Sequence, residues 1–360
     1  ERLLEGFAFM SARIQLKMDA EFPRFSQRLL DLVCPGYLSP TPAMGIVQFE
    51  PSKSEGGSPD GHVLPRQSRL RARLPAQEQT ACEFRTAHDV TIWPARLVEA
   101  RLTAAPPDLP IAGYRWGAPI RGALRLAFET TNHVDVSALK LDSLPVFIKG
   151  PADITSKLQE LLHTQCVGLV VHAGGLPIRN LTPYPPDALK TEGFGTEQAL
   201  LPVESRAFDG HRLLHEYFAF PERFRFFSLN DLQRSLRGIT GTKFEIVVLL
   251  KQANPALEAV IDADNFALYC SPVINLFQRT SDRIPVTSTR FEYHAVIERT
   301  RPLDFEIHSI QRVTGHHTES DREMVFHPFY AAADVDRRGA GAYFSVRREP
   351  RMLSDHSRRH

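Results

Sequence analysis

Leu3, Phe7, Met10, Ile14 and Met18 recur at steps of four, three, four and four, the spacing that lines one stripe of an α-helix. Pro23 lacks a backbone donor and suits the first turn of a new helix. The pattern therefore predicts a bend near residues 19–22 and a second apolar face of Phe25, Leu29 and Leu32. Cys34-Pro35-Gly36 stops that helix, and Pro40 and Pro42 keep the exit extended. Residues 1–43 thus read as a helical elbow with a stiff connector.

From Met44 the period changes to two. "GIVQFE", "SRLRARL", "ACEFRTAHDVTIW", "ARLVEARL" and "GALRLAFETT" alternate apolar and polar positions, predicting an antiparallel β domain over 44–140 with the polar "PSKSEGGSPDG" as an exposed loop. "LPVFIKGP", the amphipathic "ADITSKLQELLHTQ" and the dense "CVGLVVHA" follow in β-α-β order, so 141–235 reads as mixed α/β. Past the proline-rich "PIRNLTPYPPDALK", the stretch "GHRLLHEYFAFPERFRFFSL" predicts a short helix, a break at Pro221 and an aromatic strand. Residues 236–360 form a β-rich region with a polar tail. "KFEIVVLLKQ" is its strong strand, "DADNFALYCSPVINLFQR" fits helix or strand, and "VTSTRFEYHAVIER", "FEIHSIQRV" and "AYFSVRRE" return to alternation. The class is α+β, without an internal repeat.

Composition narrows the function. Apolar residues at 42% and charged residues at 24% mark a folded, water-soluble chain of two or three domains. Forty-three basic against forty-two acidic side chains leave no excess field, which argues against nucleic acid or an anionic lipid surface as partner. Cys34, Cys82, Cys166 and Cys270 are widely spaced, without a zinc or disulfide pattern, and fit a reducing cytoplasm. No apolar run is long enough to span a bilayer. The chain opens within helical periodicity and closes on "RREPRMLSDHSRRH", so it reads as an internal fragment of something longer.

Motifs with chemical content fall short of complete sites. His215-Glu216 imitates the start of a zinc-protease motif, but Ala219 stands where the second histidine belongs; His211, four residues earlier, leaves a two-histidine face. "DADN" at 262–265 and "DVDRRG" at 334–339 lack calcium-loop ligands and read as loops or helix caps. "GITGTK" at 238–243 misses phosphate-loop spacing and reads as a turn. His316-His317 beside Glu319 and Asp321 is a polar loop. Arg347, Arg348, Arg351, Arg358 and Arg359 form a solvated tail or pair with an acidic partner. Phe22, Phe25, Tyr37, Phe218, Phe220, Phe224, Phe226 and Phe227 sit beside prolines, where rigid aromatics suit interfaces; half of them are expected in the chain's own core.

"ERLLEGFAFMSARIQLKMDAEFPRFSQRLLDLVCPGYLSPTPAM", "EQTACEFRTAHDVTIWP", "LLHEYFAFPERFRFFSL" and "SPVINLFQRTSDRIPV", in this order, resemble the TssF family, also called ImpG or VasA, of the type VI secretion system. The resemblance covers most of the chain and implies a non-enzymatic wedge component of the baseplate, without cofactor or metal. It implies a second TssF copy, TssG, TssK and TssE as wedge partners, with the VgrG hub and the contractile sheath beyond. The implied place is the bacterial cytoplasm, in a baseplate docked to the inner-membrane complex. Leu3, Phe7, Ile14, Met18, Phe22 and Phe25 are then the expected protein-interaction residues, the alternative being that this stripe docks within the chain's own fold. Two other readings stay open: a metal-dependent hydrolase built on His211, His215 and Glu216, and a carbohydrate-binding β domain using Trp93 and Trp116.

Overall fold

α1 (Arg2–Val33) is one 32-residue helix in the computed structural model, which describes residues 2–34, 36–51, 58–74, 80–175, 178–203, 207–317, 323–329 and 341–348. The expected elbow is thus replaced by an uninterrupted helix. Pro23 forfeits one backbone hydrogen bond, a loss of about 3 kcal/mol. The apolar stripe nevertheless stays in phase on both sides of it, through Met18, Phe22, Phe25 and Leu29, and long flanking turns on each side propagate the helix cooperatively. The helix ends as expected at the Cys34 region, where Gly36 takes a φ of +86° and Ser39 N–H donates to the Gly36 carbonyl at 3.0 Å.

The chain divides into two compact units, Thr41–Thr280 and Glu1–Pro40 with Ser281–His360. In the first, the elements are β1 (Met44–Gln48), β2 (His62–Leu64), β3 (Arg69–Arg71), β4 (Glu83–Thr86), β5 (Val90–Ile92), β6 (Ala95–Ala104), β7 (Gly122–Thr130) and β8 (Leu144–Ile148), then α2 (Ala152–Gln165), β9 (Cys166–Ala173), β10 (Arg179–Tyr184) and β11 (Leu189–Thr191). α3 (Asp209–Ala219), β12 (Phe226–Leu229), β13 (Lys243–Leu250), β14 (Phe266–Leu268) and β15 (Cys270–Ile274) complete it. The sheets run β1-β15-β4-β3, β10-β9-β13-β7-β6, β11-β12-β8-β14 and β2-β5. The five-stranded sheet takes strands from Ala95 to Leu250, so it joins segments 44–140, 141–235 and 236–360.

The core follows from strand alternation. Leu124, Leu126 and Phe128 of β7, Phe244, Ile246 and Val248 of β13, and Leu169 and Val171 of β9 face one way and are buried. Against them pack Val146 and Ile148 of β8, Phe227 and Leu229 of β12, and Leu158, Leu161 and Leu162 of α2. The opposite face of the same sheet carries a smaller apolar cluster of Ala123, Val170, Val247 and Leu249. Over it lies the strap of residues 105–121 between β6 and β7, pinned by Leu109, Ile111 and Trp116. Gly168 leaves room for this packing: a Cβ there would stand 2.7 Å from the Trp116 ring and 2.6 Å from the Tyr184 carbonyl.

Two ambiguities resolve. The stretch at 262–279 takes the strand alternative, as β14 and β15 separated by Tyr269 at φ +57°, and Asp262 caps a 3-10 turn ahead of them in a reciprocal capping box with Asn265. The proline-rich stretch, to which the pattern assigned no element, supplies β10 and β11. In the other unit, β16 (Val313–His316), β17 (Glu323–Pro328) and β18 (Ala342–Phe344) form a small sheet, with β17 and β18 parallel. "VTSTRFEYHAVIER" and most of "FEIHSIQRV" form no strand, contrary to their alternation. Tyr293 Oη instead accepts from Thr287 N–H at 2.9 Å and donates to the Arg290 carbonyl at 2.8 Å, closing a local turn. Val286 and Phe291 stay 78% and 92% exposed, so the alternation has no face to bury.

Candidate functional site

Glu216 is the first residue whose role the fold decides. α3 turns it inward beside Arg212, leaving both buried, while His211 is exposed and His215 half-buried. Glu216 Oε1 accepts from the backbone N–H of Leu200 and Leu201 at 3.2 and 2.9 Å and from Arg212 Nη1 at 3.0 Å; its other oxygen pairs with fully buried Arg223. Arg223 Nη2 donates to the Gly193 and Gln198 carbonyls at 2.5 and 3.1 Å, and Arg212 also grips Asp209 at 2.7 Å. Burial first, then the charges of Arg212 and Arg66, push the Arg223 guanidinium down to about 9, so it remains a cation at neutral pH.

The carboxylate of the His-Glu motif is therefore committed to holding the 192–201 loop on α3. His215 Nε2 lies 3.1 Å from Thr41 Oγ1, and no set of three or more metal-ligating side chains gathers among the described residues. The hydrolase reading loses its assembled centre. Burial likewise pushes the Cys166 and Cys270 thiols up to about 11 and about 12, which leaves neither as a thiolate nucleophile. The carbohydrate reading loses its platform too. Trp93 is buried in the core, and Trp116 is half-buried under the strap with its indole N–H on the Ile111 carbonyl at 3.0 Å.

A cavity of about 220 Å³ opens beside His88, Arg66, Asp89, Tyr269 and Gln198. His88 is 8% exposed, its ring meets Phe226 edge-on at 5.4 Å, and burial, with the nearby Arg223 and Arg66 charges, lowers it to about 4. The unfolded chain takes up this proton near the ordinary value of about 6.5 and the folded chain does not. Stability is thus full above about pH 6.5 and falls by about 3 kcal/mol as pH drops towards 4. Denaturant titrations across this window should show that loss, and His88→Gln should flatten it.

The other loop motifs are plain. Asp262 is a cap and 238–243 is a turn with Gly241 at φ +101°. His316 is not in a loop as expected but ends β16, opposite Glu323 of β17, which its Nδ1 meets at 3.6 Å, while Glu319, Asp321, the 334–339 stretch, Arg351, Arg358 and Arg359 lie outside the described residues. Arg348 is tied to the Ile307 carbonyl at 3.0 Å and to Ser39 Oγ at 2.9 Å, so it does not belong to a free tail.

What remains is surface. Of the aromatic set, Phe224, Phe226 and Phe227 are buried and Phe220 is half-buried, whereas Phe22, Phe25, Tyr37 and Phe218 are exposed. Leu3, Phe7, Ile14, Met18, Phe22 and Phe25 are all exposed and, at about 100° per residue, fall within an arc of roughly 100°. Phe9 and Leu16, which the sequence pattern did not single out, are exposed on the far side of the helix, seven residues apart. Their spacing was the available signal, hidden because the first stripe is so regular. No helix among the described residues is long and apolar enough to cross a membrane.

Comparison with known proteins gives this surface a context. The family model described as "Type VI secretion system, TssF" matches residues 1–360. The chain is 43% identical over 362 residues to the type VI secretion system component TssF1 of Pseudomonas aeruginosa, covering 100% of this chain and 58% of that protein. A chain in the cryo-electron microscopy structure of the type VI secretion system TssK-TssF-TssG baseplate subcomplex superposes with a TM-score of 0.72 at 26% identity. That match covers 94% of this chain and 60% of the other. The chain thus spans about three fifths of the length of the relatives it matches.

Proposed function

Because this chain belongs to the TssF family of the type VI secretion system, we propose that it is a structural, non-catalytic part of the secretion baseplate, holding neighbouring subunits through α1. The observation that carries this reading is the exposure of apolar side chains on two sides of that helix. Each buried Leu, Phe or Met contributes about 1.5–3 kcal/mol relative to an exposed one, so a long helix that leaves both stripes in water forgoes a large stabilisation unless a partner covers them. The stripe of Leu3, Phe7, Ile14, Met18, Phe22 and Phe25 takes one partner helix. Phe9 and Leu16 take another.

The subcomplex in which the related structure was determined makes TssG and TssK the first partners to consider. A second copy of the family member and TssE complete the proposed wedge, which meets the VgrG hub and the sheath. In this reading the chain works on the cytoplasmic side, in a baseplate docked to the inner-membrane complex. The absence of catalysis in this reading is supported by the commitment of Glu216, Arg212 and Arg223 to one another and to backbone groups.

Co-purification tests the assignment of α1. Changing Leu3 and Phe7 to Asp sets two carboxylates into the first stripe, and recovery of TssG with the full-length protein should fall at least tenfold while the 41–280 unit melts unchanged. Undiminished TssG recovery would overturn the assignment of the interface to this stripe.

A further inference from the structure

Four aromatic rings run in contact from the interior to water beside α3. Phe224 is buried; its ring lies 5.2 Å from that of Phe194 and 5.9 Å from that of Tyr217, which in turn meets Phe218 edge-on at 5.6 Å. Phe194, Tyr217 and Phe218 are 54%, 53% and 80% exposed. Leu214, 59% exposed, stands three and four residues before the two rings of α3, so these three positions fall within an arc of roughly 100°. Isolated apolar side chains on a surface are ordinary, whereas a contiguous aromatic patch marks an interaction site.

The buried charges beneath the patch fix its shape. Arg223 pairs with Glu216 of α3, lies over the Phe224 ring at 4.7 Å from its centre, and donates to the carbonyl of Gly193, the residue before Phe194. Gly193 N–H donates to Gln198 Oε1 at 2.5 Å and closes the loop that carries Phe194. Apolar residues of similar volume would serve stability as well as a buried ion pair does. Arg223 instead reaches α3, the ring and the loop through directed contacts, which hold Phe194 and Tyr217 against Phe224. A surface held in this way gives up little freedom when a partner covers it.

Charge selects what covers the patch. Asp209 is paired with Arg212 and Glu222 with Arg225. Glu192 and Glu197, which bracket Phe194, make no ion pair among the described residues; Glu192 accepts the neutral Gln198 amide, and residues 190–198 set these two carboxylates against Lys190 alone. We propose that this surface docks an amphipathic helix of another baseplate subunit, with apolar side chains on Leu214, Tyr217 and Phe218 and a Lys or Arg facing Glu192 and Glu197. The i, i+3, i+4 ridge on α3 is the spacing at which one helix packs a second. A second copy of this chain fits poorly, because two-fold pairing would bring two acidic loops to one interface, and the same carboxylates repel an anionic lipid surface. Only the choice of partner proteins rests on the baseplate reading; the surface is independent of the role given to α1.

Purified TssG and TssK, titrated separately onto the full-length protein, test this. Leu214→Glu with Phe218→Glu should weaken one of the two by at least about tenfold, the loss expected when central apolar contacts are removed. Glu197→Lys should weaken the same partner about fivefold in low salt and less in high salt. All three positions are exposed, so melting should be unchanged. With p-benzoylphenylalanine in place of Phe218, the complex assembled with TssG and TssK should crosslink to a helix of that partner bearing Lys or Arg beside its apolar face. Undiminished binding of both proteins by the double variant, or a crosslink to a second copy of the chain or to an acidic segment, would overturn the proposal. The crosslink, read in an otherwise wild-type chain, decides even where the double variant folds poorly. A Leu3 and Phe7 variant that still recovers TssG would sink the α1 assignment and leave these outcomes untouched.

Discussion

Arg223→Met should destabilise the protein by about 3–5 kcal/mol, the range for removing one partner of a buried ion pair. The substitution leaves Glu216, itself fully buried, with Arg212 as its remaining cation, and it strips the Gly193 and Gln198 carbonyls of their guanidinium donor. At roughly 2–4 °C per kcal/mol for a unit of this size, the melting temperature should drop by about 6–20 °C. Glu216→Gln keeps an acceptor for the Leu200 and Leu201 amides while removing the charge, so the double variant should recover part of the loss. The coupling between the two sites should amount to about 1–3 kcal/mol. Thermal and urea unfolding of the single and double variants measure this. A single variant within about 1 kcal/mol of the wild type would refute the clamp.

Phe244→Ala should cost a further independent amount of about 3–5 kcal/mol. Phe244 is the register partner of Phe128, and their rings stack at 4.9 Å with only 10° between planes, both almost fully buried. Truncation removes the stack and opens a void at the centre of the sheet, where β13 is hydrogen-bonded on both sides and cannot shift inward without breaking register. Phe244→Leu, which refills most of the volume, should recover more than half of the loss in the same urea titration. A loss below about 1 kcal/mol for the alanine variant would show that the neighbours collapse into the space.

These buried features differ in how far the sequence exposes them. The alternation in "GALRLAFETT" and "KFEIVVLLKQ" foretells β7 and β13 because each strand has one core face, and "ADITSKLQELLHTQ" marks α2 residue for residue. The same rule fails at residues 286–299, since alternation states only that a strand could have two faces, and a sheet must be present to use them. Pro23 misleads in the opposite direction: a local penalty of about 3 kcal/mol is visible in the sequence, and the stabilisation from flanking helix is not. The His-Glu motif shows why spacing alone is weak evidence for chemistry. Nothing local tells that Glu216 is turned towards the amides of residues 200 and 201, because that depends on a loop sixteen residues away. For α1 the stripe was legible as amphipathic, whereas its exposure depends on what the remainder of the fold leaves uncovered.

The order of strands in the β1-β15-β4-β3 sheet bears on synthesis. β1 ends at Gln48, and the strand that pairs with it and separates it from β4 begins at Cys270, more than two hundred residues later. A ribosome adding about 5–20 residues per second leaves Met44–Gln48 waiting roughly 10–45 s for its neighbour. During translation that segment is an open template for a neighbouring nascent chain on the same message, and a chaperone that shields it until Ile274 emerges would raise the yield of correctly folded subunits.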